Sequence, residues 1–309
     1  SCQPERIYDV GEIVSFPPGL LGYTVVATIE VPVMRIDIAA LSDIGRKKSN
    51  NEDYFAYCLE DTPNLRLFKE GALMCVADGL GGHLGGEIAS KLAVSIVKDV
   101  LKEELREPAG DARDLEEKDE GPLPQLRAAI EKANASIYKT NEDLVKGHRP
   151  MGTTVVAAAV EPKKAYICNV GDSRAYLIRD HSIISVTSDH SWLDEQVRLG
   201  KMSREAADAD KRRNLITRSV GTHAEVEADS YRWHLVPGDL LMLCTDGLTT
   251  MVTDEEILDE IRKPGTAADM VKRLVDQANA HGGRDNVTVM IARINPGTLE
   301  MARLKMRPF

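Results

Sequence analysis

The sequence predicts an α+β fold, a four-layer α-β-β-α sandwich in which two antiparallel sheets pack face to face and helix pairs cover the outer faces. Two observations lead there. The strand-like runs are short and joined by short turns, which suits antiparallel neighbours, because parallel strands need crossovers of about a dozen residues or more. The order of elements is strands, a helix pair, strands, a helical insert, strands, a second helix pair and a last strand. A doubly wound parallel sheet would instead alternate strand and helix throughout.

Residues 1–33 read as an N-terminal addition. They hold Pro17, Pro18 and Gly19, which break regular structure, and one β-rich stretch at 23–31. An extra strand, a linker and a disordered tail all fit this composition, and Met34 is an alternative start. The domain spans 34–296, followed by a tail at 297–309. Residues 36–41 predict a strand, 42–51 a polar loop, and 54–59 and 65–68 two strands around the Pro63-Asn64 turn. Another strand is expected at 73–77. Apolar Ile88, Leu92, Ile96, Val100 and Leu101 recur at helical spacing, so 87–105 predicts a helix, stopped by Pro108. A charged connector with Pro and Gly fills 107–124. A second helix is expected at 125–145, with Leu126, Ile130, Ala133 and Ile137 on one side. Strands follow at 153–160, 165–170, 174–179 and 183–186, with turns at Pro162 and Gly171-Asp172. The segment 191–214 changes character to two short helical pieces with a charged run at 204–213. Strands at 231–235 and 240–244 flank Pro237-Gly238-Asp239. Helices at 255–262 and 267–281 and a strand at 287–294 complete the domain, and no internal repeat is present.

Composition narrows the class. The 309 residues are 43% hydrophobic and 28% charged, as in an ordinary globular chain. A formal net charge of −10 argues against a general binder of nucleic acid or of anionic membrane, since either needs a basic face. No apolar run is long enough to span a membrane, and the start lacks the layout of a signal peptide. Of five cysteines, Cys58, Cys75, Cys168 and Cys244 lie in apolar runs and Cys2 in the extension. None pairs at C-x-x-C spacing, so they read as reduced thiols of a cytosolic-type domain. A cytoplasmic monomer is the expectation.

The most informative stretch runs from Leu73 to Glu87. A buried strand ends in Asp78, glycines follow at once, and a helix begins. Gly79 lacks a Cβ, so the backbone can approach whatever Asp78 holds. Asp-Gly is also a common turn dipeptide. A dinucleotide fingerprint fails because Leu84 stands at the last glycine position, and a phosphate-cradling loop fails because no G-K-[ST] follows. Asp246-Gly247 repeats the pattern after another apolar run. Asn51-Glu52-Asp53 and Asp285-Asn286 also abut strand-like runs. Carboxylates at several strand ends suit a hard divalent cation, because Mg²⁺ and Mn²⁺ prefer oxygen ligands.

These blocks resemble the metal-dependent, type 2C Ser/Thr protein phosphatases, most closely their bacterial branch. The resemblance runs from about Arg35 to Ile294. It is carried by Ser42-Asp43-Ile44-Gly45 with Asn51-Glu52-Asp53, Asp78-Gly79-Leu80-Gly81-Gly82-His83 and Met151-Gly152-Thr153-Thr154. Val170-Gly171-Asp172-Ser173-Arg174, Ser188-Asp189-His190-Ser191, Thr245-Asp246-Gly247-Leu248 and Asp285-Asn286-Val287-Thr288 continue it in the family's order. The resemblance implies two Mn²⁺ or Mg²⁺ ions, with Asp78 bridging them. Asp246 and Asp285 complete one ion, and the Gly79 carbonyl helps hold the other. Asp53, with Glu52, acts on that second ion directly or through water, and Asp172 matches the position contributing to a third, weaker metal. It implies hydrolysis of phosphoserine and phosphothreonine in proteins, the targets of Ser/Thr kinases, by a bridging hydroxide without a phosphoenzyme. It also makes 191–214 overlap the mobile flap that shapes substrate access.

Two positions depart from the family pattern. Lys48 stands where an arginine usually grips the substrate phosphate, and lysine lacks the bidentate fork. Leu80 stands where the eukaryotic branch has a histidine, so the leaving alkoxide must take its proton from water or another donor. His83 reads as a helix-start residue, Ser42 and Asp43 as loop-shaping residues, and Asp189-His190 as either a substrate contact or a turn-stabilising pair. A pseudophosphatase acting as a scaffold is the rival reading. It would need lost ligands, whereas Asp53, Asp78, Asp246 and Asp285 are all present. A hydrolase of small phosphate esters is a third.

Overall fold

The computed structural model describes residues 26–32, 35–59, 71–81, 84–104, 120–144, 150–161, 163–208, 210, 212, 215–296 and 299–305. In chain order the elements are β1 (Val26–Pro32), β2 (Arg35–Asp43), β3 (Tyr54–Leu59), β4 (Ala72–Ala77), the two-residue β5 (Gly79–Leu80), α1 (Leu84–Glu104) and α2 (Leu123–Leu144). Then come the two-residue β6 (Gly152–Thr153), β7 (Val155–Glu161), β8 (Lys164–Val170), β9 (Arg174–Arg179), β10 (Ser182–Ser185), α3 (Trp192–Arg198) and α4 (Arg204–Asp208). The last are β11 (Asp229–His234), β12 (Leu240–Cys244), α5 (Asp246–Thr249), α6 (Asp254–Arg262), α7 (Ala267–Ala280), β13 (Val287–Asn295) and β14 (Leu299–Lys305). The expected strand at 65–68, its Pro63-Asn64 turn and His83 lie outside the described residues.

Two five-stranded sheets form, ordered β10-β9-β12-β13-β2 and β11-β8-β7-β4-β3. Every pairing within them is antiparallel. The period of two along a strand explains why their centres are apolar at every position. In β4, Ala72, Met74 and Val76 face the other sheet, while Leu73, Cys75 and Ala77 face α1 and α2. In β12, Leu241 and Leu243 point between the sheets, while Leu240, Met242 and Cys244 pack on α6 and α7. Three apolar layers therefore separate four layers of secondary structure, the sandwich expected from the sequence.

The helices differ from expectation in detail. On α1 the buried apolar residues are Ala89, Ala93, Val94, Val97, Val100 and Leu101, whereas Ile88 is 50% exposed and Leu92 and Ile96 are only partly buried. Small alanines let the helix sit close to the sheet, so the packed face is rotated from the row of bulky residues. Helix α1 also starts at Leu84, before the expected position, with Gly85 and Gly86 in its first turn. Helix α2 takes in Pro124 near its start, where a missing N–H costs nothing. Thr253 and Thr266 close reciprocal capping boxes on α6 and α7.

The first and last described strands pair with each other. Strand β1 pairs with β14 from Val26↔Lys305 to Pro32↔Leu299, beyond the point where β2 and β13 pair at Arg35↔Asn295. The β-rich stretch of the addition and the tail thus form one two-stranded ribbon. The strand at 299–305 was not evident in the sequence, because its partner lies at the far end of the chain.

Candidate metal centre

Antiparallel order brings the acidic residues to one end of the sandwich. Strands β4 and β8 each pair antiparallel with β7, so they run the same way, and Asp78 and Asp172 follow their C-terminal ends. Strand β3 runs opposite to β4, so Asp53 precedes its start at that same end. In the other sheet Asp246 follows the end of β12 at Cys244, and the antiparallel β13 begins just after Asp285. Five carboxylates from distant parts of the chain therefore cluster where strands stop. Asp53 and Asp172 are buried, and Asp78, Asp246 and Asp285 are partly exposed.

Each is held by its neighbours. The Asp78 N–H donates to Thr154 Oγ1 at 2.9 Å, and its carbonyl accepts from the Thr154 N–H and Thr153 Oγ1, both at 2.8 Å. Asp53 Oδ2 accepts from Thr245 Oγ1 at 2.9 Å and Thr288 Oγ1 at 2.7 Å. Asn286 clamps the loop that carries Lys48: its Nδ2 donates to the Ile44 and Asn50 carbonyls, and its Oδ1 accepts from the Glu52 N–H at 2.8 Å. Ser42 Oγ accepts from Asn51 Nδ2 and is hydrogen-bonded to Thr288 Oγ1, and Asp43 Oδ1 accepts from the Gly45 N–H, so both shape the same loop. Gly79 is wedged between Gly86 and Glu52: a Cβ there would stand 2.3 Å from the Gly86 carbonyl oxygen. The Glu52 side chain lies beside Gly86, since a Cβ on that glycine would be 2.7 Å from Glu52 Oε2.

The cluster is electrostatically loaded. Burial first, then Asp53, Asp246, Asp172 and Asp285, push the Asp78 carboxyl well above the usual carboxylate range. Burial pushes Asp53 up to about 7 despite its two hydroxyl partners, and burial with Asp285 pushes Asp246 up to about 6. Asp246 shares a hydrogen bond with Asp78. Burial and the field of Asp246 likewise raise Asp172. Lys48 Nζ pairs with Asp285 Oδ1 at 2.5 Å. Burial works against its charge, but Asp285, Asp78 and Glu52 hold its pKa above the ordinary lysine value.

Several features of these residues fit divalent cations. The donors are all oxygen, the preference of Mg²⁺ and Mn²⁺. Asp53 Oδ1 and Asp172 Oδ1 are buried without a hydrogen-bond partner, which is costly unless something else satisfies them. Like charges this close need a countercharge or protons. Among the described residues no three acidic, imidazole or thiol groups already stand at ion-ligand spacing.

A family model described as Protein phosphatase 2C matches residues 45–289. The chain belongs to that family. Protein phosphatase PhpP of Streptococcus pneumoniae is 33% identical over 261 residues, which cover 84% of this chain and 98% of PhpP. The S. agalactiae serine/threonine phosphatase matches with a TM-score of 0.73 and 31% identity, covering 84% of this chain and 100% of its own. The catalytic domain of the serine/threonine protein phosphatase PstP, in complex with 2 manganese ions, matches with a TM-score of 0.68 and 32% identity, covering 85% and 99%. By family, then, the chain is a protein-serine/threonine phosphatase with the α+β sandwich of its solved relatives. No described helix of this phosphatase is long and apolar enough to cross a membrane.

Sequence reasoning singled out every acidic member of the cluster and Lys48. It missed the polar residues that aim them. Thr153 and Thr154 stand at the start of an expected strand, and they clasp the Asp78 backbone. Thr245, Thr288 and Asn286 lie in quoted motifs, but no local pattern ties them to Asp53 or the Lys48 loop.

Proposed function

We propose that this phosphatase hydrolyses phosphoserine and phosphothreonine in proteins with two Mn²⁺ or Mg²⁺ ions, and a possible third, weaker one. Asp78 would lie between the two ions, Asp246 and Asp285 would complete one, and the Gly79 carbonyl with Asp53 and Glu52 would serve the other. Asp172 would take the third. The observation that carries this reading is the convergence of five carboxylates, two with buried unpartnered oxygens, at one end of the sandwich. When bound, the ions would supply a nucleophilic oxygen at neutral pH and neutralise charge on the phosphoryl group.

The chain's own residues do the rest. Thr153 and Thr154 fix the Asp78 backbone, and Thr245 and Thr288 orient Asp53. Lys48, 42% exposed at its side chain, binds a phosphoryl oxygen as a point charge once it leaves Asp285. Among the described residues a thiol nucleophile finds no support: Cys75, Cys168 and Cys244 are buried, and burial pushes the Cys168 and Cys244 thiols up to about 11 and about 12. In the proposed setting the enzyme acts as a cytoplasmic monomer that reverses Ser/Thr kinase signalling.

Turnover of a phosphothreonine peptide and of p-nitrophenyl phosphate, with and without Mn²⁺, tests this directly. Both should be hydrolysed only with the ion, and Asp246→Asn should lower kcat by about 10³-fold, as loss of several kcal/mol of charge stabilisation demands. The scaffold alternative predicts no turnover under any condition. The small-ester alternative predicts that phosphopeptide fails to compete.

A further inference from the structure

His190 is 4% exposed and too buried to meet a substrate. It stands at the root of the insert that carries α3 and α4. The two strands of that root are tied together there. The Trp192 N–H donates to the Leu215 carbonyl and the Thr217 N–H to the His190 carbonyl, both at 2.8 Å, and Ser191 bridges to Ile216.

The same residue is tied to the turn between β8 and β9. Its N–H donates to the Gly171 carbonyl at 3.0 Å, and the Gly171 N–H donates back to the imidazole Nδ1 at 3.0 Å. That turn continues into Asp172, with its unpartnered Oδ1. Gly171, at φ +107°, is also pressed on Thr154, the residue that clasps Asp78: a Cβ would stand 2.5 Å from Thr154 Cγ2.

The other ring nitrogen closes the network. Nε2 lies 3.2 Å from Asp229 Oδ2 and 3.2 Å from Arg218 Nη1. Because Nδ1 accepts from an amide, the neutral ring carries its proton on Nε2 and donates it to Asp229. Burial, set against the pull of Asp229, lowers the imidazole's pKa, in keeping with a neutral ring. Arg218 Nη1 in turn donates to Asp229 Oδ1 at 2.7 Å and to the Glu227 carbonyl at 3.0 Å. Arg218 follows the insert's return segment and holds Asp229, the acceptor of the His190 proton, so the ring is fixed through Asp229.

We propose that His190 is a positioning residue that couples the insert to the Asp172 turn, so that a phosphoprotein pressing on the insert also moves a carboxylate of the centre. The consequence for catalysis rests on the proposed roles of Asp172 and the insert; the mechanical coupling does not.

Arg218→Lys is the sharpest probe, because it leaves every atom that touches the turn in place. Amide hydrogen exchange of the full chain, without added metal, should rise about tenfold at 171–173 as well as at 215–217. With Mn²⁺, kcat on p-nitrophenyl phosphate should fall several-fold. His190→Asn keeps an acceptor near Nδ1 and His190→Gln a donor near Nε2, and each should loosen both segments. Faster exchange only in the segment whose bond was removed, with kcat on the small ester unchanged, overturns the proposal. If either His190 variant fails to fold, Arg218→Lys decides alone. If the unaltered chain shows no turnover, the functional reading fails while the exchange comparison still decides the coupling.

Discussion

Lys48 and Asp285 hold each other in a short ion pair, so the cation proposed to bind phosphate is already engaged by a candidate ligand. Substrate must compete for it, and lysine offers one point of charge where arginine would offer a fork. Lys48→Ala should therefore raise KM several-fold with kcat nearly unchanged; an unaltered KM removes Lys48 from the site. Asp53 and Asp246 give a prediction for the protein in chelator. Their folded values, about 7 and about 6, lie above the 3.8 of a free aspartate. At intermediate pH the folded chain therefore binds more protons than the unfolded one. This contribution is complete below the unfolded value and is lost as pH rises through the folded ones. With EDTA, Tm should fall from about pH 5 to about pH 7.5, and Mn²⁺ should reverse the fall by pairing with the ionised groups. A Tm that climbs with pH in EDTA would count against the carboxylate cluster as described.

Among the elements, the sequence was most legible where one residue type has one use. Asp-Gly after a buried run marks the ends of β4 and β12, and the glycine has a steric reason at each. At Gly247 a Cβ would lie 1.8 Å from the Asn286 carbonyl oxygen, so α5 can pass over the Asp285 loop only without a side chain. Gly247→Ala should cost about 3 kcal/mol in urea unfolding, the upper end for overpacking; a change within about 0.5 kcal/mol, the range for an unconstrained surface site, would contradict this contact. The insert was visible as a change of composition, but its anchor was not. His190 looked equally suited to a substrate contact, and only burial and its bonds to Gly171 assign it to the root. Replacing 193–214 by a short linker should slow turnover of a phosphoprotein more than that of an aryl phosphate; equal losses would argue against a role in access.

Taken across the chain, the four-layer order followed from element sequence and from short turns such as those that join β7 to β8 and β9 to β10 as antiparallel neighbours. The carboxylates were legible for the same reason, since each sits beside an apolar run that must end at a sheet edge. What could not be read was pairing between remote segments. Thr288 and Asp53 are 235 positions apart, and β1 meets β14 from the opposite end of the chain. The face of α1 was read in part: Val100 and Leu101 are buried as expected and Leu92 and Ile96 pack at its margin, but Ile88 is exposed and Ala89 and Ala93 take the places closest to the sheet. The account stands on a binuclear ion centre at the strand ends. Anomalous diffraction from a crystal soaked in Mn²⁺ tests it most directly. One peak should appear among Asp78, Asp246 and Asp285 and a second between Asp78 and the Gly79 carbonyl beside Asp53 and Glu52, with oxygen ligands at about 2.1 Å. Saturating Mn²⁺ with no peak there, or peaks held only by other residues, would contradict it.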